Sequence, residues 1–167
     1  DGHTPANVKY QKNTSYTVVL NKGQVFNAMG YVNGSNSNNA EGLDLSGTTV
    51  STTCDKKITV FGGNGRCLVK TPTSCTAPTS GSDNLIQQMV PSIAWGTKYY
   101  TVPTKHMENN LFRVYIKDAG TVVKLNGSIL PATSPTFVNN LYYEFESNQP
   151  SLIEADKPIT VTQFLTS

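Results

Sequence analysis

The stretch LFRVYIK, residues 111–117, alternates apolar with polar side chains. In an extended chain Phe112, Val114 and Ile116 lie on one face, which indicates a strand that buries this face and exposes the other. The same period of two residues recurs in PITVTQF, residues 158–164. The pattern therefore predicts an all-β fold whose strands are mainly antiparallel.

Turn signals divide the chain between these runs. Asn-Gly at 126–127 is typical of the two-residue turn that joins antiparallel strands. One segment, SDNLIQQMV at residues 82–90, is predicted as a helix because Ser82 or Asp83 can cap its start and Pro91 ends it. The sequence thus predicts mostly strands with one short helix.

The phrase Asp-Lys-x-Ile-Thr-Val occurs twice, at residues 55–60 and 156–161. A recurring phrase in a β-rich chain indicates two related units that bury a shared face. We therefore predict a β-sandwich of two similar units, with β-propeller blades as the alternative. The units cover about residues 14–66 and 111–165, and a helix and Trp segment at about 82–104 links them. The predicted core positions, all apolar or aromatic, are Val18, Leu20, Phe26, Ile58, Val60, Trp95, Phe112, Val114, Ile116, Val123, Leu125, Tyr143, Phe145, Ile159 and Val161.

Size and composition limit the class of partner. A chain of 167 residues fits one β domain. Charged residues make up 14%, the net charge is +2, and no basic run is longer than Lys56-Lys57, so the basic stripe that binds nucleic acid is missing. No apolar run approaches the roughly 18 residues that cross a bilayer, so membrane insertion is not predicted.

We interpret residues 1–167 as a piece of a longer surface protein, because the N-terminus lacks the apolar segment of a signal peptide and the C-terminus ends on a strand-like run.

The three cysteines are Cys54, Cys67 and Cys75. Neither a Cys-x₂-Cys pair nor a nearby histidine is present, so zinc is not predicted. A Cys67–Cys75 disulfide is favoured because these residues flank a loop with Pro, Thr and Ser, which suits a cross-linked surface turn. A Cys54–Cys75 bridge is the next choice, and three reduced thiols are the remaining alternative. A disulfide would indicate an oxidising compartment.

A polar insertion at residues 31–47 offers oxygen donors of the type that Ca²⁺ prefers. The EF-hand spacing is missing and two carboxylates carry little charge, so a solvated loop without a cofactor is the simpler interpretation. If a calcium site exists, its predicted ligands are Asn36, Asn38, Glu41 and Asp44.

The single tryptophan lies in SIAWGTKYYTVPT, residues 92–104, with two tyrosines close behind it. Trp95 before a glycine suits a core anchor, in which the ring is buried and the glycine permits close approach. The alternative is an exposed aromatic platform for sugar or protein, because rigid aromatic side chains contribute large contact areas. The candidate binding residues are Trp95, Tyr99 and Tyr100.

The titratable side chains form no recognisable catalytic motif. His3 and His106 lack a metal-binding spacing, and Gly-x-Ser-x-Gly is absent. Glu144 and Glu146 lie on one face of one strand, whereas glycoside hydrolysis needs two carboxylates that face each other across a groove. A non-catalytic domain is therefore predicted. The alternative is a catalytic or accessory domain of a secreted carbohydrate-active enzyme.

Four phrases occur together in order: DLSGTTVSTT…KKITVFGGN, DNLIQQMVPSIAWGTKYYTVPT, RVYIKDAGTVVKLNG and IEADKPITVTQF. In this combination, from about Tyr16 to Phe164, the chain resembles IgGFc-binding-protein N-terminal-type domains. The resemblance is strongest to bacterial members in long secreted surface proteins of Bacteroidetes. The chain departs from the family at its start, where the preceding strands of the family are absent.

The resemblance implies an extracellular, non-catalytic binding or structural module of a cell-surface adhesin or mucin-like protein. Its partners would be a protein or glycan ligand at the cell surface and the neighbouring domains of the same long chain. The family takes its name from Fc binding by an animal member. No residue motif for that activity can be transferred to this sequence, so the resemblance does not identify the ligand. A purely structural spacer in a filament or stalk is a further alternative.

Overall fold

In the computed structural model of the protein, 41% of the residues lie in β-strands, and the strands pair into antiparallel sheets. The fold class predicted from the sequence, all-β and mainly antiparallel, is confirmed. By its internal contacts the chain divides into two compact units, Asp1–Leu45 and Ser46–Ser167. The described residues are 9–33, 41–53, 55–67, 69, 83–105, 109–133, 136–139 and 141–165.

Eleven strands lie within the described residues, and every strand pair is antiparallel. The first unit contains β1 (Val32–Asn33) and β2 (Glu41–Gly42). The second unit contains β3 (Phe61–Cys67), β4 (Asp83–Gln88), β5 (Gly96–Thr101), β6 (Asn110–Ile116), β7 (Val123–Leu125), β8 (Ser128–Ile129), β9 (Phe137–Val138), β10 (Tyr142–Ser147) and β11 (Ser151–Phe164).

The first unit combines the β1–β2 pair with a small aromatic cluster. The ring of Tyr10 meets the ring of Tyr16 edge-on, with 4.5 Å between centroids, and that of Phe26 at 6.2 Å. Val18 and Leu20, which we predicted as core residues, are exposed. That prediction is wrong because the chain around them forms no strand, so among the described residues no paired strand covers an alternating face.

The second unit is built around the long strand β11, which pairs along both of its edges. β5 lies on one edge, and β7 and β6 lie on the other, against the first and second halves of β11. β10 and β9 extend the sheet beyond β6, and β8 extends it beyond β7. This seven-stranded sheet curls into half a barrel, so it differs from the four-stranded blade of a propeller.

The β5–β11 ladder is irregular between Glu154 and Ile159, where its register shifts. A tyrosine side chain supplies hydrogen bonds at this point. The hydroxyl of Tyr99 accepts from the backbone N–H of Gly96 at 2.9 Å and donates to the backbone oxygen of Ile159 at 2.8 Å. Because buried backbone groups need partners, Tyr99 holds the two strands together where their ladder is broken.

The main core cluster lies on one face of the seven-stranded sheet, and Tyr142 is buried on the opposite face. Val114 on β6 faces Val161 on β11 and Tyr143 on β10, as their alternation predicts. The other predicted positions on these strands and on β7 are buried or half-buried, and all of them except Phe112 belong to this cluster or pack against it. The buried apolar and aromatic residues of the described chain are Phe112, Val114, Val123, Tyr142, Tyr143, Ile153 and Ile159.

The β7–β8 hairpin follows from the Asn-Gly signal. Asn126 and Gly127 have φ angles of 50° and 84°, in the left-handed region that a type I′ turn requires. The side-chain oxygen of Asn126 also accepts the backbone N–H of Leu152 at 2.8 Å. This bond fastens the turn to β11, so one residue both forms the hairpin and sets its position against the sheet.

The helix predicted over residues 82–90 is wrong. Asp83–Gln88 form β4, which pairs with β3. This pairing needs glycine at position 63, because a Cβ on Gly63 would collide with the backbone oxygen of Leu85. A non-local partner strand therefore outweighs a weak local helix signal. The one helical element among the described residues is a 3-10 turn at Ser92–Ala94.

The two copies of the repeated phrase have different structures. The second copy, residues 156–161, lies within β11, and its Ile159 is fully buried. The first copy starts at Asp55, whose φ is 55°, and precedes β3, so Ile58 is 48% exposed. The prediction that the two isoleucines are equivalent core positions is wrong, because among the described strands only the second copy has a neighbour on each side.

Candidate functional site

Four neighbouring strands, β5, β11, β7 and β8, bring a set of side chains together on the sheet face opposite the core. Their positions follow from the register, because cross-strand partners point to the same face of a sheet. We call this surface the outer patch. Across the strands it consists of Lys98, Glu154, Lys124 and Ile129 in one row, and of Tyr100 and Leu152 in the next.

Tyr100 is the aromatic side chain of the outer patch, and it is 74% exposed. Its backbone is fixed, because the residues on either side of it, Tyr99 and Thr101, pair with Ile153 and Ser151 on β11. A tyrosine on a fixed strand offers a large contact surface and has little conformational entropy to lose on binding. The outer patch therefore presents a preorganised aromatic side chain.

Charged side chains of both signs surround this tyrosine. Lys98 Nζ lies 2.9 Å from a carboxylate oxygen of Glu154, and Lys124 is the partner of Glu154 on the other side. The hydrogen bond to Glu154 and the negative charge of that carboxylate raise the pKa of Lys98 above its ordinary value, because both favour the charged ammonium form. Mixed charges suit a protein ligand better than a polyanion, which requires clustered positive charge.

A shallow depression of about 240 Å³ borders the outer patch. Its lining consists of Val122, Lys124, Glu154, Ala155 and Asp156. The carboxylate of Asp156 accepts the backbone N–H of Val122 at 2.8 Å, which fixes one wall. Ligand pockets usually measure about 300–1,000 Å³, so this depression suits one inserted side chain better than a whole small molecule.

The structure places one of the three predicted aromatic binding residues, Tyr100, in the outer patch. Trp95 is half-buried, and its indole N–H donates to the backbone oxygen of Val90 at 3.1 Å. Tyr99 points to the core face, where its hydroxyl joins β5 to β11. The polar groups of Trp95 and Tyr99 are thus used inside the second unit, and the three rings do not form one platform.

The predicted calcium ligands fall largely outside the described residues. Asn36 and Asn38 lie outside them, as does the side chain of Glu41, whereas Asp44 is described and exposed. Within the described part of the chain, no group of three or more His, Cys, Asp or Glu side chains could hold a metal ion. The calcium site stays a prediction.

The cysteine pairing also stays a prediction. Cys67 lies at the end of β3 and is a free thiol among the described residues. Cys54 and Cys75 both lie outside the described residues. Neither the favoured Cys67–Cys75 bridge nor the Cys54–Cys75 alternative is therefore tested.

A second polar cluster lies on the outward face of β6 and β10. Arg113 Nε donates to a carboxylate oxygen of Glu144 at 2.6 Å, and Arg113 Nη1 donates to Ser46 Oγ at 3.0 Å. The guanidinium carbon also lies 4.7 Å from the ring centre of Tyr142. These contacts fasten the segment at Ser46 to the sheet. Glu144 is held in an ion pair, which favours a structural role for this carboxylate over a catalytic one.

Most of the outer patch was not predicted from the sequence. The alternation in GTKYYT, residues 96–101, does place Lys98 and Tyr100 on one face and Tyr99 on the other. Glu154 and Lys124 become their neighbours only through the non-local pairing of β11 with β5 and β7. Strand order is not encoded in a local pattern, so the full patch required the structure.

Comparison with known proteins identifies the family. The chain matches the family model described as IgGFc binding protein over residues 2–167. No curated protein matches the chain, and no solved structure does. Among the described residues, the structure contains no helix with the length and apolarity needed to cross a membrane. Because the family match covers essentially the whole sequence, the chain belongs to the IgGFc binding protein family.

Proposed function

We propose that this chain is an extracellular, non-catalytic module that binds a protein ligand through the outer patch. Family membership supports the class of function, because the IgGFc binding protein family is a family of non-enzymatic binding modules and its domains are typically extracellular. The chemistry of the outer patch supports the location of the binding surface.

The observation that carries the proposal is the 74% exposure of Tyr100 on a paired strand. Tyrosine is enriched among the residues that dominate the energetics of protein interfaces, which combine apolar centres with polar rims. Leu152 and Ile129 add apolar surface on the same face, and the Lys98–Glu154 pair lies beside the ring. This arrangement fits a tyrosine that is covered on binding while the charged pairs stay at the rim.

The first ligand to test is the Fc region of immunoglobulin G, because the family name refers to it. A place in a cell-surface adhesin or mucin-like protein, beside further domains of the same chain, is part of the proposal. A glycan ligand is the alternative partner, since an exposed tyrosine also stacks on sugars. The two kinds of ligand are separated by testing Fc, mucin and purified polysaccharides side by side.

Replacing Tyr100 with alanine is expected to weaken binding to immobilised IgG Fc by at least about tenfold, or about 1.4 kcal/mol. The reason is the loss of the aromatic contact that the partner covers. The measurement is an equilibrium titration by surface plasmon resonance at one fixed salt concentration. Circular dichroism of the variant should match the wild type, because a side chain 74% exposed contributes little to folding.

Tyr31→Ala is the matched control, because Tyr31 is another exposed tyrosine and lies outside the outer patch. Its affinity should equal that of the wild type. Equal affinities of Tyr100→Ala and the wild type for Fc would show that the binding surface lies elsewhere on the chain. Saturable binding to polysaccharide alone would overturn the protein ligand in favour of the glycan.

The calcium site is a separate proposal that the same titration can test. If Asn36, Asn38, Glu41 and Asp44 bind Ca²⁺, then EDTA should change the affinity and added Ca²⁺ should restore it. An affinity that is the same in EDTA and in calcium would show that Ca²⁺ takes no part in ligand binding. The outer patch lies on other residues, so its proposal does not depend on this result.

A further inference from the structure

β5 is an edge strand of the seven-stranded sheet. Within the described residues it pairs only with β11, so its other edge carries backbone N–H and C=O groups without ladder partners. Such an edge is a template for another strand. The identity of that strand is constrained, because only an extended chain can match a row of backbone groups.

The sequence of β5 is complementary to itself when two copies run antiparallel. If the pairing is centred on Tyr99, then Lys98 of one copy lies opposite Tyr100 of the other, and Thr97 lies opposite Thr101. Cross-strand Thr–Thr pairs are favourable, and a lysine can pack its stem or its charge against a tyrosine ring. No like charges meet in this register.

Lysine on an edge strand often discourages pairing, because it brings an unpaired charge to the approaching chain. In β5 the ammonium group of Lys98 is already 2.9 Å from the carboxylate of Glu154 on the neighbouring strand. Its charge is thus balanced within its own sheet. Tyr100 stays exposed on the same face, free to lie across a partner's Lys98.

We propose that β5 pairs with β5 of a second copy of this chain, antiparallel about a two-fold axis at Tyr99. The two seven-stranded sheets would then form one continuous sheet, with both outer patches on the same face. A two-fold axis makes the contact self-complementary and closed, so it stops at a dimer. This inference is tested on the protein alone, without the proposed ligand, because Tyr100 takes part in both contacts.

The contact is small, because it comprises one six-residue strand from each copy. Interfaces of such size give weak, reversible association. The expected behaviour in sedimentation equilibrium is therefore an average mass that rises from one chain towards two as the protein concentration increases. Hydrogen exchange of the β5 amides should slow over the same concentration range, because the outward-facing amides gain acceptors.

Two variants test the register by exchanging charges. Tyr100→Lys places a lysine opposite the partner's Lys98, twice per dimer, and should raise the dimer dissociation constant by about tenfold or more. Tyr100→Glu at the same position places a carboxylate opposite the partner's Lys98 and leaves the Lys98–Glu154 pair intact, so it should keep the constant within about threefold of the wild type. Val25→Lys, at an exposed position in the first unit, is the control for added charge and should change nothing.

Each outcome supports or overturns the proposal. A wild-type chain that sediments as a monomer at every concentration, with β5 amides that exchange at a constant rate, would overturn it. A dimer that Tyr100→Lys leaves unchanged would show that another surface associates. An equal loss of association in Tyr100→Lys and Tyr100→Glu would overturn the register centred on Tyr99.

Discussion

Replacing Phe112 with alanine is expected to lower the free energy of unfolding by about 3–5 kcal/mol, the usual cost of truncating a buried phenylalanine. Phe112 is fully buried in β6, and its ring stacks on that of Phe145 with 5.5 Å between centroids. β6 lies between β11 and β10, so the core around this ring cannot collapse freely into the cavity. The measurement is a urea titration followed by circular dichroism.

Phe61→Ala is the matched control for this variant. Phe61 lies in β3, outside the seven-stranded sheet, and its side chain is 62% exposed. Its truncation should cost less than about 1 kcal/mol, because little apolar surface is returned to water. Equal losses in the two variants would contradict the placement of the core on the face of β6 that carries Phe112.

The second large effect separates the two copies of the repeated phrase. Ile159→Ala should cost about 2–5 kcal/mol, because Ile159 is fully buried between β5 and β6. Ile58→Ala should cost less than about 1 kcal/mol, because Ile58 is 48% exposed before β3. Both variants remove the same atoms from the same local sequence, so urea titrations compare their surroundings alone.

The prediction is that Ile159→Ala loses more stability than Ile58→Ala. If the two copies were equivalent units, as the repeat predicts, the two alanine variants would lose similar stability. A loss at Ile58 that matches the loss at Ile159 would therefore restore the interpretation as two related core strands. It would also contradict the position of the first copy outside the seven-stranded sheet.

The parts of the fold that were predictable depend on local signals. The alternation in LFRVYIK identifies both the strand β6 and its buried face, because side-chain direction in a strand has a fixed period. The Asn126-Gly127 pair identifies the β7–β8 turn, because few other residue pairs accept two left-handed conformations. In both cases the information lies within a few residues.

The failures arise where a distant segment decides the structure. Residues 82–90 carry a helix cap and a terminating proline, but β3 offers a ladder of backbone hydrogen bonds and a glycine at position 63 that permits close pairing. The repeated phrase adopts two structures for the same reason, since in the described part of the chain only its second copy pairs with strands on both edges. Tertiary context decides between alternatives that local propensity leaves close in energy.

The candidate site was predictable to the same extent. Tyr100 was among the aromatic side chains predicted to bind, and the alternation of β5 places Lys98 beside it. The rest of the outer patch comes from β7, β8 and β11, whose order across the sheet no local pattern reveals. An aromatic residue can thus be nominated from sequence, whereas the surface around it requires the strand pairing.

The most direct test of the outer patch as a binding surface is hydrogen exchange with mass spectrometry, with and without saturating IgG Fc. The account predicts slower exchange in peptides that cover 96–101, 123–129 and 151–155, and unchanged exchange in those that cover 61–67 and 83–88. The chain concentration is held constant and low, so that β5 pairing between copies does not contribute. Protection confined to other segments, or no protection at saturation, would contradict the account.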